Sequence, residues 1–333
     1  MVAILQQDPQ GSAEDNILQF YPYSGATVPY KGKTAAEERK EYMNNTKVAA
    51  FISSKKDILD KELRVKSLSN KNIFVIVNLE AKASIVISDP DITSFDIAVM
   101  DSIYTVTRNG NMKFSPETIV RTLSGNTERN VTKKKVDAVI RSINKLSSMK
   151  IEIDCTNEFI ARNIISKEQT SVIKGDLLPI EETTVMAGNH RRIMTGYRLM
   201  ETPLLYRYAE ATHQIISFDM GLFNLSGITN TEESVLIKRY LIRRIEIMKN
   251  KNNHVKGRKI SYEWTDDDGE KRGLLISLGY EPCNYKNWKK KRNNIHKVII
   301  SILDAFVEAG YIHGYTINKK GQQSQIVGYT IKL

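Results

Sequence analysis

The five histidines are the side chains best suited to acid–base or metal chemistry, but their spacing does not favour either. His190, His213, His254, His296 and His313 are isolated from one another, and the chain has no His-x-His pair. Nucleases that transfer DNA to a tyrosine need such a pair to hold their metal ion. The histidine pattern therefore favours a protein without nuclease chemistry.

Three other groups of residues resemble catalytic or metal-binding signatures only in part. Gly32–Thr34 matches the end of a phosphate-binding loop, but Thr27 stands where the first glycine is required and no apolar strand precedes it. The three aspartates 266–268 precede Gly269, a pattern typical of a turn. Cys155 and Cys283 are too few for a zinc site or a disulfide framework. The sequence thus predicts a binding protein that is not an enzyme and has no cofactor or metal.

Charge is distributed unevenly along the 333 residues. The formal net charge is +11, and residues 216–333 hold 20 Lys/Arg against 12 Asp/Glu, so most of the surplus lies there. Such asymmetry indicates a polyanionic partner, and nucleic acid is the commonest one. Charge alone leaves open an acidic protein, a membrane surface or a merely solvated lysine-rich face. Because no run of eighteen apolar residues and no secretory signal is present, we expect a cytoplasmic protein with no membrane partner.

The middle of the chain predicts a winged-helix order of elements. Residues 95–106, 114–125 and 131–149 have helical apolar spacing, and Ser115-Pro116 is a typical helix start. An alternating strand follows at 149–154, and 182–200 reads as two strands around Gly188-Asn189. The third helix, at 132–148, would be the recognition helix.

A second set of elements follows with a similar order. Thr231 begins a long predicted helix at 231–250, strands are predicted at 259–264 and 274–280, and another helix at 284–312. Residues 314–317 and 325–333 predict a closing hairpin. We therefore expect an α+β protein with tandem winged-helix domains at 71–212 and 213–333. Strands are predicted at 71–80 and 84–88, and an N-terminal extension, 1–70, is expected to be partly helical over 34–63.

Helical geometry selects the candidate DNA-binding residues. Around the predicted 284–312 helix, Trp288 falls on the apolar stripe and is expected in the core, whereas the opposite side is basic and polar. That opposite side holds Lys286, Lys289, Lys290, Asn293 and Lys297, with His296 at its flank. It is the predicted main DNA-binding face, since lysines neutralise phosphates and asparagine pairs with adenine edges.

The first predicted recognition helix is a weaker candidate. Lys134, Arg141 and Lys145 are expected on its solvent side, although Asp137 lies among them. Arg191 and Arg192 are expected at the tip of the first wing. The basic residues between 238 and 259 could line a DNA channel or only solvate a helix, and the sequence does not decide between these.

Several segments resemble the replication initiators of theta-replicating plasmids and related mobile elements, the Rep family with two winged-helix domains. They are FDIAVMDSIYTVTRNG, FSPETIVRTLSG, VTKKKVDAVIRSINKL, ISFDMGLFNL, VLIKRYLIRRIEIMKN and NWKKKRNNIHKVIISILDAF. The resemblance spans roughly 70–333. It implies double-stranded DNA as partner, in the form of direct repeats (iterons) at an origin, read mainly by 286–297 and more weakly by 133–145. It also implies host initiator and helicase machinery as partners, and a homodimer in some members.

Two other functions fit the same elements. A winged-helix transcriptional regulator of a phage or mobile element would use the same DNA-binding face, but on an inverted pair of sites. A winged-helix protein-interaction factor would use its lysines only for solubility.

Overall fold

The computed structural model describes residues 40–66, 72–79, 91–108, 112–125, 131–186, 192–223, 225, 231–249, 258–265, 269, 271–321 and 325–333. The predicted strand at 84–88, the predicted turn at Gly188-Asn189, Gly32–Thr34 and the aspartates 266–268 lie outside these residues. The described residues form a mixed α+β protein with five small antiparallel sheets. None of their helices has the length and apolar character needed to cross a membrane.

Residues 40–225 contribute nine strands and six helices to the described part of the chain. The strands are β1 Lys40–Asn44, β2 Glu62–Lys66, β3 Asn72–Leu79, β4 Lys113–Phe114, β5 Met149–Asp154, β6 Val172–Asp176, β7 Ile180–Met186, β8 Arg192–Leu199 and β9 Ile215–Asp219. The helices are α1 Lys47–Ile52, α2 Ser94–Thr107, α3 Pro116–Leu123, α4 Lys133–Ser147, α5 Thr156–Ala161 and α6 Leu204–Ala211. A short 3₁₀ helix, Met220–Phe223, follows β9.

Residues 231–333 contribute five strands and three helices. They are α7 Glu232–Lys249, β10 Lys259–Ser261, β11 Trp264–Thr265, β12 Lys271–Arg272, α8 Leu274–Ser277, α9 Trp288–Glu308, β13 Gly314–Lys320 and β14 Gln325–Lys332. A 3₁₀ turn, Pro282–Asn284, precedes α9. The predicted long helix and closing hairpin are both confirmed.

The two halves share one order of elements. In the first, helix α2 is followed by the short strand β4, helices α3 and α4, and hairpin β7–β8, in a sheet of order β4-β8-β7. In the second, α7 is followed by β10, the separate two-stranded ribbon β11–β12, helices α8 and α9, and hairpin β13–β14, in a sheet of order β10-β14-β13. In both, the short strand pairs with the last strand of the hairpin.

The first half carries an additional sheet that the sequence pattern did not separate from the hairpin. Strand β5 follows α4 directly but joins β2, β3 and β6 in a four-stranded sheet of order β2-β3-β5-β6. Its side chains alternate between buried and half-buried, as its sequence predicted. The prediction that β5 leads into the wing was incomplete, because β6 and α5 lie between them.

Two element predictions were wrong. Residues 34–63 were expected to be partly helical, and the described part does hold the short helix α1, but strands β1 and β2 occupy positions that were expected to be helical. Pairing of β1 with β9 outweighs the helical propensity of its Lys and Glu residues. Residues 274–280 were expected to form a strand but begin as helix α8. A short apolar run does not distinguish the two, and Gly273, with φ 124°, turns the chain into the helix.

Two hydrophobic cores lie on either side of the β1–β9 ribbon. The N-terminal core includes Val75, Ile103, Leu146 and Tyr206, and the C-terminal core includes Ile242, Ile299, Phe306 and Tyr329. Along the ribbon, side chains alternate between the cores, as expected of a strand with both faces covered. Tyr42 and Ile215 pack against the N-terminal core, whereas Met43, Ile216 and Phe218 pack in the C-terminal core.

Candidate nucleic-acid interface

Helix α9 begins with a side-chain cap. The Asn287 side-chain oxygen accepts a hydrogen bond from the Lys290 backbone N–H at 3.1 Å. Such a cap satisfies one of the N–H groups that the first helical turn leaves free. The helix therefore begins at Trp288, later than the predicted 284, because Pro282–Asn284 forms a separate 3₁₀ turn.

An apolar stripe fastens α9 to the C-terminal core. Ile295, Ile299, Ile302 and Phe306 are fully buried. Trp288 is half-buried against this core, with its ring 5.7 Å from that of Tyr285. The prediction that Trp288 belongs to the core is confirmed.

Two cations on the flank of α9 hold the helix in place, and sequence reasoning did not single them out. Lys291 Nζ lies 2.9 Å from both carboxylate oxygens of Glu233 on α7. Arg292 donates to the backbone carbonyl of Ile326 on β14 at 2.7 Å. Both cations also lie over aromatic rings, Lys291 over Tyr280 and Arg292 over Tyr262. Lys291 and Arg292 therefore fix the helix, whereas Lys289, Lys290 and Lys297 remain exposed to solvent.

His296 lies between the exposed face and the core. Its Nδ1 contacts the hydroxyls of Tyr329 and Tyr262, the latter at 3.2 Å, and its ring stacks on Tyr329. Burial lowers the pKa of this imidazole from its ordinary value. Burial thus favours the neutral imidazole, and His296 lies at the flank of the exposed face, as predicted.

The exposed face of α9 brings together three of the four predicted lysines and the predicted asparagine. Lys289, Lys290, Asn293 and Lys297 line one shallow depression together with His296, Asn287 and Asn294. Lys286 is also exposed, just before the helix. Asn294 was not predicted, although its spacing of four residues from Lys290 and three from Lys297 places it on this face. No carboxylate lines the depression, and within the described residues none of these lysines forms an ion pair.

Helix α4 differs, because one of its predicted cations is turned inward. Lys134 and Arg141 are exposed, as predicted. Lys145 was expected on the solvent side, and this was wrong: its side chain is 13% exposed and its Nζ lies 2.6 Å from Asp96 on α2. Lys145 also donates to the backbone carbonyl of Asp91 at 2.7 Å. The buried carboxylate of Asp96 also accepts from Ser142 at 2.6 Å, so the inner side of α4 is anchored to the start of α2.

The structure does not describe the side chains of Arg191 and Arg192, the arginines predicted at the tip of the first wing. Arg192 begins strand β8, and Arg191 lies outside the described residues. Their DNA contact stays a prediction.

Much of the basic segment around α7 is structural. Lys238 is fully buried and donates to the backbone carbonyl of Phe223 at 3.0 Å, and burial lowers its pKa to about 8. Arg239 is 4% exposed and forms ion pairs with Glu41 and Asp101. Lys249 lies over the ring of Tyr311. The side chains that the sequence left undecided therefore stabilise the fold at these three positions.

No candidate metal centre accompanies this surface. Across the described ranges, no three residues among His, Cys, Asp and Glu are grouped so that they could hold a metal ion.

Comparison with known proteins yields structural matches alone. No known protein family and no curated protein matches the chain. The chain is similar to the crystal structure of selenomethionine derivatives of domains 2 and 3 of RctB, with a TM-score of 0.43 and 13% identity, covering 87% of this chain and 98% of that one. It is also similar to a crystal structure of RctB domains 2–3 (RctB-155-483), with a TM-score of 0.41 and 12% identity, covering 82% and 91%. TM-scores below 0.5 are too low to support a functional assignment.

Proposed function

We propose that this protein is a non-enzymatic, sequence-specific double-stranded DNA-binding protein with two winged-helix modules, and that α9 makes the main contact. The exposed N-terminal half of α9 carries this proposal. There, exposed lysines and asparagines stand together without a carboxylate, on a helix held rigidly from behind.

The order of elements supports the assignment of both modules as winged helices. In each half the third helix, α4 or α9, is followed by an antiparallel hairpin whose last strand pairs with the short strand. In helix-turn-helix proteins the recognition helix enters the major groove with its N-terminal residues on the base edges. The N-terminal residues of α9 are the exposed basic and polar ones, and its later turns are buried.

The chemistry of the face fits both parts of DNA recognition. Lysine ammonium groups neutralise phosphates and supply affinity that does not depend on sequence. Asparagine side chains can make two hydrogen bonds to an adenine edge, which supplies base discrimination. We assign the first role to Lys286, Lys289, Lys290 and Lys297, and the second to Asn293 and Asn294.

We further propose that the DNA is a replication origin of a plasmid or mobile element. The segments that resemble the two-winged-helix initiators support this step, and they make direct repeats, host initiator and helicase machinery, and a homodimer the expected partners. An array of direct repeats of about 20 base pairs near the gene would agree with two recognition helices reading each repeat. An inverted pair of sites would favour a transcriptional regulator instead.

The test is the salt dependence of binding to a fluorescent 40-base-pair duplex of random sequence, followed by anisotropy. Four lysine–phosphate contacts predict a logarithmic slope of about −3.6, hence about a 100-fold loss of affinity between 50 and 200 mM salt. Weak binding that does not change over this range would overturn the proposal and favour the protein-interaction function.

A further inference from the structure

A group of four charged side chains, three of them buried and Arg243 partly exposed, joins the two halves of the molecule. Arg239 on α7 pairs with Glu41 on β1, and its guanidinium lies 3.6 Å from Asp101 on α2. Arg243, one turn later on α7, lies 3.3 Å from the same Asp101 carboxylate. Glu41 and Asp101 are fully buried and Arg239 nearly so. Burial raises the pKa of Glu41 to about 7, and the facing Arg239 opposes this rise, so the two guanidinium groups balance two carboxylates only when Glu41 is ionised.

Asp101 is also held from its own half. It accepts a hydrogen bond from the Tyr206 hydroxyl at 2.6 Å and one from the Asn44 backbone N–H at 2.8 Å. Both donors belong to elements that contact α2 or its neighbours. The carboxylate is therefore also held by contacts that do not involve α7.

Ion pairs link one recognition helix to the other through this group. Helix α4 is tied to α2 by Lys145 and Asp96, at 2.6 Å. Helix α2 is tied to α7 by Asp101 and Arg239. Helix α7 is tied to α9 by Glu233 and Lys291, at 2.9 Å. Helix α2 contributes a residue to the first and the second of these ion pairs, and helix α7 contributes a residue to the second and the third.

The ion pair between Asp101 and Arg239 differs from an apolar contact, because it fixes which groups of the two helices must face each other. A buried ion pair requires a particular partner at a particular place, because separation leaves buried charges without compensation. Buried polar groups have an attested role in fixing register between helices. Arg239 is suited to this role, since its guanidinium lies between two buried carboxylates, those of Glu41 and Asp101.

We infer that Arg239, through Glu41 and Asp101, sets the relative orientation of α4 and α9 and so selects the spacing between the two DNA half-sites that the protein reads. This inference rests on the proposed function. Arg239 is a positioning residue, because it is buried away from the exposed face of α9. Each inserted base pair separates two half-sites by about 3.4 Å and rotates them by about 34°, so a fixed orientation tolerates few spacings.

The first measurement is a selection from random 40-base-pair duplexes. The wild-type protein should enrich two half-motifs at one spacing, preferred by more than about tenfold over its neighbours, because modules fixed in the right geometry reinforce each other. Arg239→Met combined with Glu41→Gln removes one charge of each sign and leaves Asp101 with Arg243. It should enrich the same half-motifs, with the preference for one spacing reduced to less than about threefold.

The matched control is Arg162→Met. Arg162 also pairs with a buried carboxylate, Glu158, at 2.6 Å, but both residues lie in the first half. This variant should keep the wild-type spacing preference. If it lost the preference as well, the effect would be one of general destabilisation and the inference would be wrong.

The second measurement does not involve DNA. Nitroxide labels are attached to cysteines introduced at the exposed positions 174 and 319, and Cys283→Ser removes the exposed native cysteine. The distribution of distances between the two labels is then measured by pulsed electron spin resonance. The wild-type background should give one narrow distribution, and Arg239→Met/Glu41→Gln a clearly broader one. Should that variant not fold, Arg239→Lys, which keeps the charge but loses the planar fork, replaces it in both measurements.

The outcomes separate the two proposals. The inference is supported if the variant accepts a wider range of half-site spacings and also gives a broader interspin distance distribution. An unchanged spacing preference or an unchanged distance distribution overturns it. If the wild-type protein enriches no motif while the variant broadens the distance distribution, the proposed function fails. Arg239 would then be shown to orient the halves, but not to select DNA spacing.

Discussion

The two proposed recognition helices, α4 and α9, use their basic residues differently. On α9 the lysines at 289, 290 and 297 are all exposed, and the flanking Lys291 and Arg292 fix the helix from the side. On α4 only Lys134 and Arg141 of the three predicted cations are exposed, because Lys145 pairs with a buried aspartate. Basic residues in one helix thus divide between holding the helix and facing a ligand, and net charge does not separate these roles.

The largest expected effect concerns the inward cation of α4. Lys145→Met leaves the Asp96 carboxylate without its cation in a buried place, which should lower the free energy of unfolding by about 3 kcal/mol. Lys134→Met makes the same chemical change on the exposed side of the helix and should alter it by less than about 0.5 kcal/mol. Urea denaturation measures both. Equal losses would show that Lys145 does not hold α4 to α2.

The next effect tests the contrast between the two helices directly. Lys289→Ala with Lys290→Ala should weaken binding to duplex DNA about 30-fold and reduce the salt slope by about 2, because two phosphate contacts are removed. Lys134→Ala with Arg141→Ala should weaken it only about threefold, since α9 is proposed to make the main contact and Asp137 lies among the cations of α4. A gel-shift titration measures the order. An equal or reversed order would contradict the main role of α9.

The smallest expected effect concerns His296, which lies between the exposed face of α9 and the hydrophobic core. Burial lowers the pKa of His296 in the folded state, whereas in the unfolded chain it titrates near 6.5. The stability that the neutral ring contributes is therefore complete above the unfolded pKa and declines as the pH falls below it. His296→Gln keeps a hydrogen-bonding group without this titration.

The free energy of unfolding of the wild-type protein should therefore exceed that of His296→Gln by less at pH 5.5 than at pH 7.5. Urea titrations of both proteins at the two pH values measure the difference. Because the other ionisable groups are common to both proteins, their titration cancels in the comparison. An advantage that grew on acidification would mean that the folded protein favours the charged imidazole.

Much of the secondary structure could be predicted because its signals are local. Ser115 caps α3 and Pro116 begins it, and Gly125 follows it with φ 70°, as the residue types predicted. The apolar spacing of α9 correctly placed Trp288 against the core and the lysines outside. The failures at 40–44 and 274–280 occurred where pairing with a distant strand or an ambiguous apolar run decided the conformation.

The candidate site was predicted less completely. Periodicity places a side chain on a face of its own helix, but it contains no information about which neighbour covers that face. Lys145 and Arg141 are four residues apart on one helix, yet α2 brings Asp96 only to Lys145. Lys291 adjoins Lys290 in the sequence, and only the position of α7 gives it a carboxylate partner.

The amino-acid sequence by itself determined helices α2, α3, α4, α7 and α9, the apolar stripe of α9 and the excess of positive charge in the last third, since each depends on residue type and short-range spacing. Only the tertiary structure decided which cations stay exposed. Their carboxylate partners are 49 residues away for Lys145, 58 for Lys291 and 138 for the Asp101–Arg239 pair, as residue numbers show. Burial makes these pairs expensive to break, and it arises only when separate elements pack together.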